Sequence, residues 1–383
     1  MKKLFATAFA VLAVPLFAQE LPKRDAIVAS LRSANAWFVK EWPDPGKTIV
    51  TNKERPSNIW TRGVYYEGLM ALNAIDPNPA YVSYALKWAD FHHWGMRTGD
   101  KTRNADDQCC GQTYIDLYRL DPKPERLRAI TASLDAMVAS EKADDWNWID
   151  AMQMAMPVFA KLGATTHDAK YFEKAHALYT FMKTKHGGHG LYNPADHLWW
   201  RDKDFVPPYQ TPAGKQSYWS RGNGWVFAAF VRVLDELPAN SPHRAEYEQT
   251  LQDMAGALLP RQRADGFWNC SLDDPDDFGG KETTGTALFT YGMAWGIRHK
   301  LLDEKIYGPV VARAWHALST EALHPNGYLG YVQGTGKQPS EGRPVDQDGK
   351  PQPLGYDYHP DFTDYGLGCF LLAGSEVFRL SRG

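Results

Sequence analysis

The 383-residue sequence has almost no net charge: 45 acidic side chains against 42 basic ones leave −3 at neutral pH. A nucleic-acid binder needs a basic face, and this balance gives no support for one. Cysteine is scarce as well. Cys109, Cys110, Cys270 and Cys369 are too few for a disulfide scaffold, and no CxxC or Cys/His spacing suggests a zinc site. Sequence neighbours such as Cys109 and Cys110 rarely bridge each other, so all four are expected to be small core residues. Beyond the first twenty residues no apolar run is long enough to cross a membrane. Alternating strand-like runs, low-complexity blocks and strict repeats are also missing, which argues against a solenoid.

The chain does have an N-terminal leader pattern. "MKKLFATAFAVLAVPLFAQE" is positive, then apolar for about a dozen residues, then small near Ala18. Residues 1–18 are therefore expected to be a secretory signal peptide and 19–383 a single exported domain, most simply periplasmic, with no membrane attachment after cleavage. Aromatic residues are abundant, with 14 Trp, 19 Tyr and 17 Phe. Such a surplus suggests flat stacking surfaces of the kind sugars use, although aromatics also fill cores.

Apolar spacing at i, i+3 and i+4 predicts helix after helix. The segments are 22–42, 57–75, 79–98, 109–120, 124–141, 146–162, 168–186, 224–237, 243–263, 283–301, 304–321 and 364–380. The connectors hold the Gly, Pro, Asp and much of the Trp. Helical hairpins in this number, without a repeat consensus, favour an all-α fold, an (α/α)6 barrel of about twelve helices with a bowl of loops at one end.

Four stretches could carry chemistry. In "DDWNWIDAMQMAMP" Asp150 begins an apolar helix just after Trp146 and Trp148. Burial would raise its pKa and the helix dipole would lower it, so it is either a first-turn cap or a proton donor. In "RNADDQCCGQ" Asp106 and Asp107 open another helix, as caps or as a second acidic pair. "YWSRGNGW" sets Trp219, Arg221 and Trp225 around Gly222, Asn223 and Gly224; the glycines permit close approach and Arg221 can grip a carboxylate in two-pronged fashion. "HGLYNPADHLWWRD" offers His197 and, among tryptophans, Arg201 as a further anion contact.

Taken in order, "WIDAMQMAMPVFAKLG", "YWSRGNGW", "DGFWNCSL…ETTGTALFTYGMAWGI" and "TDYGLGCFLLAGSEV" resemble glycoside hydrolase families 88 and 105, the unsaturated glucuronyl and rhamnogalacturonyl hydrolases. The resemblance runs over nearly the whole chain after the leader. It implies an (α/α)6 barrel and a substrate left by polysaccharide lyases, with a C4=C5 double bond in the non-reducing uronic acid. Protonation at C4, addition of water at C5 and opening of the hemiketal would release the next sugar. One carboxyl group that donates a proton and then helps deprotonate water suffices, so no metal or organic cofactor is implied. By resemblance Asp150 is that acid/base and Asp106 the second active-site aspartate, keeping Asp150 protonated by repulsion. Asp107 is the alternative if the register slips by one. Trp148, Trp219, Arg221, Trp225, His197 and Arg201 are the expected substrate contacts, with the glycines bringing the backbone against the sugar. Asn193 stands where some relatives carry a histidine, and none precedes the Trp-x-Asp in "EKADDWNW".

The expected substrate is an unsaturated rhamnogalacturonan oligosaccharide from pectin; the sibling reading is an unsaturated β-glucuronyl unit from ulvan-type or other glucuronate polymers. Of other classes, a polysaccharide lyase would want a Tyr/His or Arg/Lys base near a neutralised carboxylate. A non-catalytic oligosaccharide-binding protein would need the tryptophans and not Asp150.

Overall fold

The computed structural model describes residues 20–382, so the expected leader lies outside the described residues. In chain order the helices begin with α1 (Arg24–Glu41), α2 (Trp60–Ile75), α3 (Pro79–Phe91) and the single turn α4 (Ala105–Gln108). Then come α5 (Cys110–Leu120), α6 (Glu125–Val138), α7 (Asp150–Thr166), α8 (Lys170–Thr184), α9 (Ser220–Glu236) and α10 (Arg244–Leu258). A second single turn, α11 (Pro275–Phe278), precedes α12 (Thr283–Arg298), α13 (Glu304–His316) and α14 (Asp364–Leu380). The twelve long helices fall within the segments expected from periodicity, apart from small differences at their ends.

Helices α2, α5, α7, α9, α12 and α14 form an inner ring in which each packs on the next and α14 returns to α2. The intervening long helices pack outside, closing an (α/α)6 barrel. Burial explains the sorting. On α7 every residue from Ala151 to Gly163 is buried, as a helix surrounded on all sides requires. On the outer α10 only one stripe is buried, Tyr247, Thr250, Leu251, Met254, Ala255 and Leu258. Where α2 and α14 meet, a Cβ on Gly68 would stand 2.5 Å from the carbonyl oxygen of Gly368, so only glycine allows this approach.

Three two-residue hairpins decorate the connectors: β1 (Ile49–Val50) with β2 (Glu54–Arg55), β3 (Tyr192–Asn193) with β4 (Leu198–Trp199), and β5 (Trp268–Asn269) with β6 (Lys281–Glu282). The four cysteines are free and buried. No helix among the described residues is long and apolar enough to cross a membrane.

Two expectations change. The glycine-rich stretch is not a loop before α9: the helix begins at Ser220, so Arg221 to Gly224 form its first turn. Glycine disfavours helix on its own, but Gly222 packs on Trp219 and Ile149, and Gly224 on Leu288 and Gly285. Both glycines thus serve helix packing rather than approach to a sugar. The tryptophan surplus also goes largely to the core: Trp88, Trp146, Trp199, Trp225, Trp268, Trp295 and Trp315 are fully buried.

Candidate active site

The N-terminal ends of the inner helices and the loops before them surround a cavity of about 400 Å³. Asp106 from α4, Asp150 from the first turn of α7 and Met154 one turn further share it with Trp60, Trp148 and Trp219. Helix N-termini carry partial positive charge and favour anions at such a site.

A short bridge sets the floor. Trp148 pairs with Asp202, and the Ile149 amide donates to the Arg201 carbonyl at 2.9 Å. This joins the start of α7 to the segment after β4 and brings Arg201 Nε within 3.5 Å of Asp150 Oδ2. Arg201 Nη1 also holds Asp202, at 2.5 Å. Asn223 fastens the same segment from the other side: its amide donates to the Trp199 carbonyl (3.0 Å) and accepts from the Trp199 amide (2.8 Å). The asparagine between the glycines therefore helps to place Arg201.

The two carboxyls differ. Enclosure first, and then the charge of Asp150, push the pKa of Asp106 up to about 7, against the opposing pull of Arg97. Burial also raises Asp150, while Arg201 and Arg221 pull it back toward the charged form. Burial thus raises both carboxyls, and the charge of either opposes ionisation of the other, so the pair favours holding one proton between them. Asp150 Oδ2 has no hydrogen-bond partner among the described residues, although it is buried.

Arg221 faces the cavity, yet its terminal nitrogens are already engaged. Nη1 donates to the Gln333 carbonyl (2.6 Å) and to the Tyr365 hydroxyl (3.1 Å), and Nη2 to the Gly334 carbonyl (2.9 Å). Its guanidinium lies 4.5 Å from the centre of a Trp219 ring, and Trp219 Nε1 donates to Gln333 Oε1 (2.9 Å). Rather than offering a free two-pronged grip, Arg221 anchors the wall of the bowl and adds positive charge beside Asp150.

Across residues 31–381 the chain matches Glycosyl Hydrolase Family 88. The chain belongs to this family. It is 32% identical over 343 residues to the unsaturated 3S-rhamnoglycuronyl hydrolase of Formosa agariphila, covering 84% of this chain and 85% of that one. A family 88 glycosyl hydrolase from Bacteroides vulgatus is 32% identical, with TM-score 0.82 over 94% of this chain and 100% of its own. A protein described as a polysaccharide lyase is 30% identical, with TM-score 0.82 over 93% and 97%. This family 88 chain is thus a glycoside hydrolase of the unsaturated uronyl type, acting on unsaturated uronic-acid oligosaccharides.

Asp106, Asp150, Trp148, Arg201, Trp219 and Arg221 all line the one cavity. Three other expected contacts lie elsewhere. Asp107 points behind Asp106, where its carboxylate accepts from Arg97 Nε (2.8 Å), Thr98 Oγ1 and Thr102 Oγ1 (3.0 Å). Successive residues on a helix point about 100° apart, and this separates the two neighbours. Trp225 is one turn too deep in α9 and packs edge-on against Trp60. His197 lies on a separate surface cleft, 3.0 Å from the Tyr192 hydroxyl and 3.8 Å from Asp253. Sequence reading missed Lys53 and Arg55 on the first hairpin, Arg97, and Lys337, all of which line the bowl. They are ordinary loop cations with no motif around them, and only the fold brings them together.

Proposed function

We propose that Asp150 protonates C4 of the unsaturated uronyl ring and that the pair it forms with Asp106 then takes a proton from the water that adds to C5. The ring C5–O bond of the hemiketal opens to a C5 ketone, and the hemiacetal left at C1 collapses to an aldehyde, expelling the next sugar with its hydroxyl. One proton shared by the two carboxyls meets both demands, because acid–base catalysts work best with a pKa near the working pH. The observation that carries this reading is that Asp150 and Asp106 are the only two carboxyls lining a bowl with six cationic side chains. A lyase would need a base beside a neutralised carboxylate, whereas here the two aspartates face the substrate space directly.

Of the two candidate substrates, we favour the unsaturated uronyl–rhamnose left from a glucuronate polymer over the one left from pectin; the double bond erases the configuration at C4, so the two differ in linkage rather than in the unsaturated ring. The name of the Formosa relative supports this choice. We further propose that the enzyme is exported, which finding the mature N-terminus near Gln19 would support.

The test follows loss of the conjugated double bond's ultraviolet absorbance with each unsaturated disaccharide. Wild type should consume the disaccharide from the glucuronate polymer faster, and Asp150→Asn should lose at least about a thousandfold in kcat. Faster consumption of the disaccharide from pectin would return the substrate to pectin; an active Asp150→Asn would remove Asp150 from the mechanism.

A further inference from the structure

One turn below the two aspartates lies a charged group that the reaction does not touch. Glu67, on α2, is 1% exposed. Its Oε1 accepts from Gln112 Nε2 (2.8 Å) and from the Cys109 thiol (3.3 Å), and its Oε2 accepts from Gln153 Nε2 (2.7 Å). Gln112 Nε2 also donates to the Gln153 carbonyl (2.8 Å), while its Oε1 accepts from Arg232 Nε (2.7 Å) on α9. Arg232 Nε stands 3.6 Å from Glu67 Oε2.

The spacing of these donors is informative. Cys109 follows Asp106 by three residues and Gln153 follows Asp150 by three, so each is the next residue down on its aspartate's face. A single carboxyl on a third helix thus receives a hydrogen bond from directly beneath each aspartate. We infer that Glu67 is a positioning residue that fixes the separation of Asp106 and Asp150 by tying the starts of their two helices to one acceptor. This inference rests on the catalytic reading of those aspartates. Proximity is what lets the charge of Asp150 raise Asp106, so loosening the tie should change how the pair titrates as well as how fast it works.

Activity on the unsaturated uronyl–rhamnose from a glucuronate polymer would be measured for Glu67→Leu, Glu67→Gln, Gln153→Leu and Asp150→Asn, with folding checked by circular dichroism. Gln153→Leu removes only the α7 arm, and it decides the matter whether or not Glu67→Leu folds. It should lower kcat about tenfold with KM changed less than about twofold, and move the alkaline limb of the kcat profile to lower pH as Asp106 returns toward an ordinary carboxylate. Glu67→Gln should keep most activity, because Gln153 Oε1 is buried without a partner and can accept from the new amide once Gln153 turns over. A folded Gln153→Leu with wild-type kcat and pH profile, alongside an inactive Asp150→Asn, would overturn this inference alone. An active Asp150→Asn would instead overturn the mechanism on which it rests.

Discussion

Two sets of charged side chains lie one above the other along the barrel axis, and they are satisfied to different degrees. In the deeper set both Glu67 oxygens are hydrogen-bonded, and Arg232 is paired with Gln112 and Glu67. In the upper set Asp150 Oδ2 and Arg201 Nε are buried without a hydrogen bond, and Asp106 is held far from its ordinary titration range. The cost of dehydrating charge is offset below by hydrogen bonds to both carboxylate oxygens, and above by the ion pairs of Arg201 and a shifted titration at Asp106. Structure is built from the first arrangement and reactivity from the second.

Breaking the lower set should have the largest effect. Arg232→Met leaves Glu67 buried without its cation and should cost about 3 kcal/mol in urea unfolding at pH 8. The loss should shrink toward pH 5, because burial already raises the Glu67 pKa and a protonated Glu67 needs no cation. An equal loss at both pH values would show that packing, not charge, is what Arg232 supplies.

The upper set should respond in the opposite direction. Because the pKa of Asp106 is raised to about 7 when folded, the folded state holds a proton that the unfolded state has released between pH 4 and 7. The group therefore favours folding fully only below its unfolded pKa, and that contribution is lost as pH rises through about 7. Asp106→Asn should melt at a higher temperature than wild type at pH 8, lose this advantage toward pH 4, and be catalytically impaired. A variant that melts lower at pH 8 would mean that the Asp106 charge is already compensated.

The smallest effect belongs to the solvated rim. Lys337 is exposed at the mouth of the bowl, so Lys337→Ala should raise KM about threefold at low salt and leave melting unchanged. The KM difference should vanish in about 0.5 M salt, where charges at that distance are screened. If it persists, Lys337 makes a direct contact with substrate.

Much of this architecture is legible in the sequence, for a physical reason: a helix enclosed by others shows its apolar period whatever its neighbours are. Asp150 and Arg221 were legible too, because a charge set among tryptophans and glycines at a helix start is conspicuous. What escaped notice depends on long-range placement. Lys53, Arg55 and Arg97 look like any surface cation until the loops that carry them converge. Asp107 and Asp106 look alike in sequence, and only the helical turn sends one to the bowl and the other to Arg97. Trp225 and His197 misled for the same reason, since residue type says nothing about depth along a helix or which face of the barrel a loop reaches.

The wall of the bowl is fastened mainly by its main chain. Arg221 and Tyr365 hold the carbonyls of Gln333 and Gly334, and the Thr335 amide is held by Asp361 at 2.8 Å. Lys337 contributes only its amide, donated to Glu341 at 2.7 Å, while its side chain extends free. Attachment and the charge at the mouth are therefore carried by different atoms of the same segment. A lineage can rewrite the side chain at 337 without detaching the wall, so the charge at the mouth of the bowl can be retuned while the two aspartates and the barrel stay as they are.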